Sequence, residues 1–219
     1  MGNPNLDKKS PRRKLLTGNF TIRRLIRSVI FIYVFIAGFA YFFSNKMIFM
    51  PQRQDYNDRN RFLKIRTLDG TQISACYLPN PRAEFTILYS HGNAENIGDL
   101  YDLFELFHDN GFSVFAYDYH GYGTNDGKPS EKNSYQDIEA AYLYMVNNLK
   151  IPSDRIVVLG RSVGSGMAVH LACREKVAAL ILESPFVSAF RVLTKIPLLP
   201  FDKDRKFWWL APKYCSGFR

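Results

Sequence analysis

The chain has 219 residues, 47% of them hydrophobic and 22% charged, and this composition excludes an intrinsically disordered protein. At this length, one globular domain with an appendage is expected. The net charge of +9 lies mostly in residues 1–27, which carry eight basic side chains and one acidic side chain. Because these basic residues form a flank and not a face interleaved with aromatic residues, nucleic acid is not predicted as a partner.

The next segment, residues 28–45, carries no charge and is rich in aromatic and β-branched residues. Extended to Met50, past Lys46, whose long side chain can reach the interface, it is long enough to cross the roughly 30 Å of hydrocarbon in a bilayer. We therefore predict a transmembrane helix over residues 28–50, with the lipid bilayer as its partner. The long basic leader and the lack of a small-x-small site before Lys46 favour an uncleaved signal anchor over a cleaved signal peptide or a buried core helix.

The charges around this segment predict its orientation. Residues 1–27 are strongly basic, whereas the residues that follow the segment carry mixed charges. The excess of positive charge on the cytoplasmic side of membrane proteins then predicts a single-pass type II protein, with residues 1–27 as a cytoplasmic leader and the remainder translocated. Residues 51–60 are the expected linker to the domain that follows.

Beyond the linker, strand patterns alternate with helical patterns. Asp69-Gly70 predicts a two-residue hairpin turn, and Ser134 with Asp137 three residues later predicts a capping box at the start of a helix. The predicted elements are strands at 62–68, 71–78, 85–90, 112–117, 156–159 and 177–182, and helices from Leu100 to the stop at Asn110-Gly111, after Ser134 and at 165–175. This alternation predicts the α/β class, with a mainly parallel sheet covered by helices on both faces.

The most informative motif is G-x-S-x-G at residues 160–164, which follows the apolar run 156–159 and precedes a predicted helix. A strand that turns sharply into a helix forces its turn residue into a strained backbone conformation, and flanking glycines leave room for the turn. The motif therefore predicts a nucleophile elbow, with the hydroxyl of Ser162 exposed above the sheet edge. The alternative is a glycine-rich loop that only connects the two elements.

The histidines give no sign of a metal centre. The four are His91, His108, His120 and His170, and they lack the spacing of metal ligands. Neither a metal nor a cofactor is expected.

The order of these elements, with three motifs, resembles the α/β-hydrolase superfamily over about residues 61–200. The motifs are Ser90-His91-Gly92-Asn93-Ala94-Glu95-Asn96, Asp118-Tyr119-His120-Gly121-Tyr122-Gly123 and Gly160-Arg161-Ser162-Val163-Gly164-Ser165-Gly166. Together with the predicted anchor, they resemble its membrane-anchored branch, which is related to Bem-type hydrolases and depalmitoylating thioesterases. The resemblance implies an α/β-hydrolase fold preceded by one transmembrane helix.

The same resemblance implies a serine hydrolase that acts on an ester, thioester or amide through an acyl-enzyme, with Ser162 as the nucleophile. It also implies that the backbone N–H groups of Val163 and Asn93 form the oxyanion hole. The choice among acyl, ester and peptide substrates stays open, because hydrolases that share this elbow differ mainly in their loops.

The sequence does not contain a catalytic acid and base in the order that the superfamily uses. The resemblance implies that His91 shapes the oxyanion loop, and we expect His120 to fix its own loop and Glu183 to be the best-placed stand-in for the acid. No histidine follows His170, so the chain order serine, acid, histidine lacks its last member. Residues 61–205 are therefore expected to be an incomplete hydrolase domain, and residues 206–219 an atypical tail. The alternative function is a truncated, non-catalytic membrane protein that retains the hydrolase framework.

Overall fold

The computed structural model describes residues 21–51, 56 and 61–185. The chain divides into two compact units, residues 1–44 and residues 45–219. Most of the expected leader, most of the linker at 51–60 and the tail at 206–219 lie outside the described residues.

Helix α1 spans Ile22–Ile48 and contains most of the predicted apolar segment. Most of its described apolar side chains are exposed; Phe31 and Phe35, for example, are 71% and 64% exposed. In the described part of the chain, no helix combines the length and the hydropathy expected of a membrane span. The fold therefore does not confirm the transmembrane anchor predicted at residues 28–50.

The larger unit is built on a six-stranded sheet. Its strands are β1 (Phe62–Arg66), β2 (Gln72–Leu78), β3 (Thr86–Ser90), β4 (Ser113–Tyr117), β5 (Ile156–Arg161) and β6 (Ala179–Glu183). They lie in the order β1-β2-β4-β3-β5-β6. β2 pairs antiparallel with β1 and with β4, whereas β4, β3, β5 and β6 are parallel to one another. The predicted mainly parallel sheet, with an antiparallel hairpin at its start, is confirmed.

Helices of the described region cover both faces of this sheet. They are α2 (Tyr101–Asp109), α3 (Glu131–Asn147) and α4 (Gly164–Ala172). Leu88 and Val158 belong to an apolar cluster that also contains residues of α3 and α4, whereas Ile87 and Leu159 belong to a second cluster that contains Phe104 of α2. Because successive residues of a strand point to opposite faces, the sheet separates two cores. Burial on both faces is the usual condition of parallel strands.

The hairpin between β1 and β2 is confirmed, but its loop is longer than predicted. The Thr67 N–H donates to the Thr71 carbonyl at 2.9 Å. The Asp69 carboxylate accepts from the Thr67 hydroxyl at 2.6 Å and from the Thr71 N–H at 3.0 Å. The aspartate side chain thus closes a five-residue loop, residues 67–71, in place of the predicted two-residue turn.

The predicted capping box at Ser134 and Asp137 is wrong. α3 begins earlier, with Ser130 as its N-cap, and the Ser130 hydroxyl accepts a hydrogen bond from the Asn133 N–H at 3.2 Å. Ser134 and Asp137 are buried within the helix. Serine caps helices well, so the local sequence pattern did not distinguish Ser130 from Ser134. The difference lies in a tertiary contact of Asp137, which places this residue inside the helix.

That contact is with His120, which ties three parts of the larger unit together. The backbone N–H and the Nδ1 of His120 bond the Asp137 carboxylate at 3.0 and 2.6 Å, and Nε2 lies 3.3 Å from Asp69 Oδ2 in the β1–β2 loop. The hydrogen bond with Asp137 raises the pKa of His120, and burial opposes this. The loop-fixing role expected of His120 is confirmed.

Close packing controls the turn from β5 into α4. A β-carbon at Gly164 would lie 2.1 Å from the Ser90 carbonyl oxygen and 2.7 Å from that of His91. One at Gly160 would lie 2.5 Å from the Gly164 carbonyl oxygen and 2.7 Å from the Ala168 β-carbon. No side chain fits at these distances. Both glycines of the G-x-S-x-G motif are therefore needed so that α4 can start against the end of β3.

The first prediction compares Gly164→Ala with Gly70→Ala. Gly70 has a positive φ of 90° but no atom within 4 Å of its would-be β-carbon, so its substitution adds backbone strain of about 1 kcal/mol. Gly164→Ala adds a collision with backbone atoms and should lower the free energy of unfolding by about 3 kcal/mol. Urea denaturation of both variants measures the difference, and equal losses would contradict the packing argument.

The second prediction concerns pH. Because the folded-state pKa of His120 lies above its unfolded value of about 6.5, its stabilising effect is complete below that pH and is lost as the pH rises through the folded-state pKa. Asp137→Asn removes the cause of the raised pKa. The stability advantage of the parent protein over this variant should therefore shrink as the pH rises above about 6.5.

The measurement is an NMR titration of the imidazole rings together with denaturation at each pH. His120 should titrate above about 6.5 in the parent protein and lower in Asp137→Asn. His170, whose pKa burial lowers, is the internal control and should be unchanged. An unshifted His120 in the variant would refute the assigned cause.

Candidate active site

Ser162 lies in the turn between β5 and α4, half-buried, with a backbone φ of +49°. A positive φ is unfavourable for a residue with a side chain, so the surrounding structure must hold it in place. The Ser162 N–H donates to the Glu183 carbonyl at 2.9 Å, and the Ser162 carbonyl accepts from the Ser165 N–H at 3.1 Å. The backbone has the strained strand-turn-helix geometry of a nucleophile elbow, and the chemical role of Ser162 stays a prediction.

The loop after β3, residues 91–95, forms the second part of the site. Ala94 also has a positive φ, +56°. The Gly92 N–H donates to Glu95 Oε2 at 2.7 Å, and the Ala94 N–H donates to Asn93 Oδ1 at 3.0 Å. Side chains of the loop thus bond its own backbone, which defines its conformation.

The elbow and this loop are neighbours because Ser90 pairs with Gly160 in the sheet and α4 starts against the Ser90 carbonyl. Among the described residues, no acceptor is bound to the backbone N–H of Val163 or of Asn93. Unpaired N–H groups at the same end of the sheet as a serine hydroxyl are what an oxyanion hole requires. The fold therefore brings the three residues predicted from the sequence to one region.

Arg161 links the two parts of the site through charge. Its Nη1 lies 3.2 Å from Glu95 Oε1, and its Nε lies 3.4 Å from Glu183 Oε1. The other oxygen of Glu95 accepts the Gly92 N–H, so one chain of contacts connects the elbow with the loop at residues 91–95. The Glu95 carboxylate raises the pKa of Arg161. Because all three charged side chains are partly exposed, these pairs define geometry and add little stability.

His91 is fully buried, and its two ring nitrogens face groups other than Ser162. Its Nδ1 bonds the Gly92 carbonyl at 2.8 Å, and its ring packs 4.2 Å from the Tyr119 ring, centroid to centroid. Its Nε2 lies 3.2 Å from Asp118 Oδ1, without the alignment of a hydrogen bond. These contacts agree with the expected role of His91 in shaping the oxyanion loop.

The remaining histidines are also engaged elsewhere. His108 lies on α2, 3.3 Å from Asp109, and His170 bonds Glu139 at 2.8 Å and stacks on Tyr135. With His120 held by Asp137, all four histidines of the chain are accounted for. In the described part of the chain, none of them bonds Ser162.

The carboxylates near the site have structural partners. Asp118 is fully buried, and its carboxylate accepts the Ile97 N–H at 2.9 Å and the Tyr56 hydroxyl. It organises the adjoining loops. Glu183, the expected stand-in for a triad acid, is half-exposed and faces Arg161. Within the described residues no histidine contacts Glu183, so it has no base to orient.

Arg161 and Glu95 contribute to the site without having been predicted from the sequence. Arg161 is one of the two unspecified positions of the G-x-S-x-G motif, and Glu95 lies in the loop without a distinctive spacing. The two residues are 66 positions apart in the sequence, so no local pattern connects them. Only the pairing of β3 with β5 does.

Curated relatives match part of the chain. Alpha/beta hydrolase domain-containing protein aho-3 of Caenorhabditis elegans is 47% identical over 116 residues, which cover 52% of this chain and 35% of that protein. Alpha/beta hydrolase domain-containing protein 17B of Homo sapiens is 40% identical over 129 residues, which cover 58% of this chain and 45% of that protein. The chain thus spans less than half the length of these relatives.

Solved structures share the fold. An α/β-hydrolase from Vibrio vulnificus has a TM-score of 0.56 and 24% identity, over 65% of this chain and 51% of that one. An esterase from Pyrococcus furiosus has a TM-score of 0.54 and 22% identity, over 63% of this chain and 56% of that one. At these identities the likeness supports the fold alone.

The sequence profile of a family described as serine aminopeptidase, S33, matches residues 81–211, more than half of the chain. The matched range contains the loop after β3, the elbow and β6. The chain therefore belongs to the serine aminopeptidase S33 family, within the α/β-hydrolase superfamily.

Proposed function

We propose that this chain supplies the nucleophile and the oxyanion hole of a membrane-anchored serine hydrolase that acts on an ester, thioester or amide. The observation that carries the proposal is the backbone of Ser162, which has a φ of +49° between β5 and α4. A serine presented in this way suits acyl transfer, since the N–H groups of Val163 and Asn93 lie at the same end of the sheet and have no acceptor among the described residues.

In the proposed reaction, Ser162 Oγ attacks the substrate carbonyl carbon while the hydroxyl proton passes to a base. The N–H groups of Val163 and Asn93 donate to the developing oxyanion. The tetrahedral intermediate then expels an alcohol, thiol or amine, which takes up the proton, and the acyl group stays on Ser162. Water then attacks this acyl-enzyme and gives a proton to the base. The base returns a proton to Ser162 Oγ, and the carboxylic acid is released.

The base in this reaction is not one of the chain's own histidines. All four lie in the described region, and each faces a carboxylate that has a structural role. The pairs are His91 with Asp118, His108 with Asp109, His120 with Asp137 and His170 with Glu139. Without a base, a serine hydroxyl stays protonated near pH 7 and is a weak nucleophile. The same observation favours a second candidate function, a non-catalytic membrane protein that keeps the hydrolase framework.

The third prediction separates these two functions. The purified chain should hydrolyse a short acyl p-nitrophenyl ester no faster than its Ser162→Ala variant, because no base activates the hydroxyl. Added imidazole can act as the base, and should raise the rate of the parent chain by about 10-fold over Ser162→Ala at the same imidazole concentration, a small part of what a positioned base contributes.

Ser162→Ala in imidazole is the control for hydrolysis that imidazole catalyses in solution. A rate that depends on Ser162 without imidazole would contradict the prediction and would mean that His91 or His120 reaches the serine. Equal rates for the two proteins in imidazole would refute the nucleophile role and support the non-catalytic function.

For the membrane, we propose that residues 28–47 of the predicted segment 28–50 anchor the protein with its N-terminus in the cytoplasm, because Ile48 and Phe49 pack in the apolar core of the larger unit. The support is the uncharged stretch 28–45, the basic excess in residues 1–27 and the helical conformation of Ile22–Ile48. At 1.5 Å per residue a helix of this length is about 40 Å long, and crossing the hydrocarbon takes about 30 Å.

The fourth prediction tests this orientation. In sealed vesicles, a protease added from the cytoplasmic side should digest a tag at Met1 and leave a tag placed after Arg219 intact, because the basic leader stays on that side. Detergent should expose both tags. Digestion of the tag after Arg219 in intact vesicles, with or without digestion of the other, would overturn the proposed topology.

A further inference from the structure

We call the loop at residues 91–95 the oxyanion loop, after its proposed role. One of its side-chain oxygens accepts three hydrogen bonds. Asn93 Oδ1 accepts the backbone N–H of Met50 at 2.8 Å, the hydroxyl of Tyr122 at 2.8 Å and the backbone N–H of Ala94 at 3.0 Å. An amide oxygen has two lone pairs, so three donors saturate it. The side chain of Asn93 is therefore held by three different segments of the larger unit.

The segment that supplies the first donor follows directly after α1. We call residues 49–51 the post-helix segment; they belong to the larger unit, which begins at residue 45. Phe49 is 5% exposed and lies in the larger apolar cluster. The Met50 side chain is 56% exposed, so this residue acts through its backbone N–H, while its neighbour anchors the segment in the core.

The second donor is equally well fixed. Tyr122 is fully buried, and its ring centroid lies 5.4 Å from that of His91 and 5.5 Å from that of Tyr119. Burial raises the pKa of Tyr122, which keeps the phenol protonated and able to donate; the Met50 N–H opposes this shift.

We propose that the post-helix segment is a working part of the active site, and that Met50 and Asn93 are positioning residues for the oxyanion loop. The Met50 N–H holds the Asn93 side chain, and this side chain holds the Ala94 N–H. Because these two bonds hold the loop backbone, the backbone N–H of Asn93 keeps one orientation. The inference rests on the proposed function only for the statement that this N–H stabilises an oxyanion.

The fifth prediction uses two variants at one position. Met50→Pro removes the backbone N–H, whereas Met50→Ala keeps it and removes only the exposed side chain. Hydrogen exchange measured by mass spectrometry or NMR should show the Ala94 and Gly92 amides exchanging about fivefold faster in Met50→Pro, the effect of one hydrogen bond. Met50→Ala should match the parent protein. The amides of Leu88 and Val158 in the sheet should be unchanged, which separates a local effect from loss of the fold.

The second readout is the imidazole-driven, Ser162-dependent ester hydrolysis. It should fall about 10-fold in Met50→Pro, less than the loss expected when an oxyanion donor is removed outright. Asn93→Leu, which lacks the acceptor at similar volume, should show the same increase in exchange at Ala94.

The outcomes distinguish this inference from the proposed function. Unchanged exchange at residues 92–94 in Met50→Pro and in Asn93→Leu would overturn the inference, whatever the rate of hydrolysis. Faster exchange with an unchanged rate would also overturn it, because the segment would then close the N-terminal end of the domain without serving the site. A parent chain with no Ser162-dependent rate would refute the proposed function, while the exchange experiment would still decide whether the post-helix segment positions the loop.

Discussion

The close approach of α4 to the end of β3 is the contact on which the rest of the site depends. It is permitted only because Gly164 has no side chain, since a β-carbon there would overlap the Ser90 carbonyl oxygen. With α4 starting at this point, the chain leaving β5 has no room for a gradual turn, and Ser162 takes a positive φ. The same contact puts the start of the helix beside the loop after β3, where Asn93 lies.

Polar contacts of high sequence separation then hold the loops that surround this contact. Within the loop at residues 91–95, the Glu95 carboxylate accepts the Gly92 N–H, and it also faces Arg161 of the elbow. Asp118, fully buried, accepts hydrogen bonds from Ile97 and Tyr56. A buried carboxylate is tolerated only when its oxygens are satisfied, so these bonds stabilise the loops and commit the Asp118 carboxylate to structural partners.

The four histidines have structural partners within the larger unit. Each one is held by a carboxylate or packed among aromatic rings, and His120 joins α3 to the β1–β2 hairpin through Asp137 and Asp69. Such contacts stabilise the larger unit and its loops. The elbow and the loop at residues 91–95 are held by close packing and by hydrogen bonds that do not involve an imidazole.

The sequence by itself determined the α/β class, the strand order along the chain and the elbow at Ser162, because apolar periodicity and the glycines of a tight turn are local signals. It also marked Asn93 and Val163, through a resemblance. Local patterns misplaced the start of α3 and shortened the β1–β2 loop. Only the tertiary structure decided the partners of His120, the link from Arg161 to Glu95 and the bond from Met50 to Asn93. These contacts join residues far apart in sequence, and their partners are set by strand pairing and helix packing, which no short window of sequence contains.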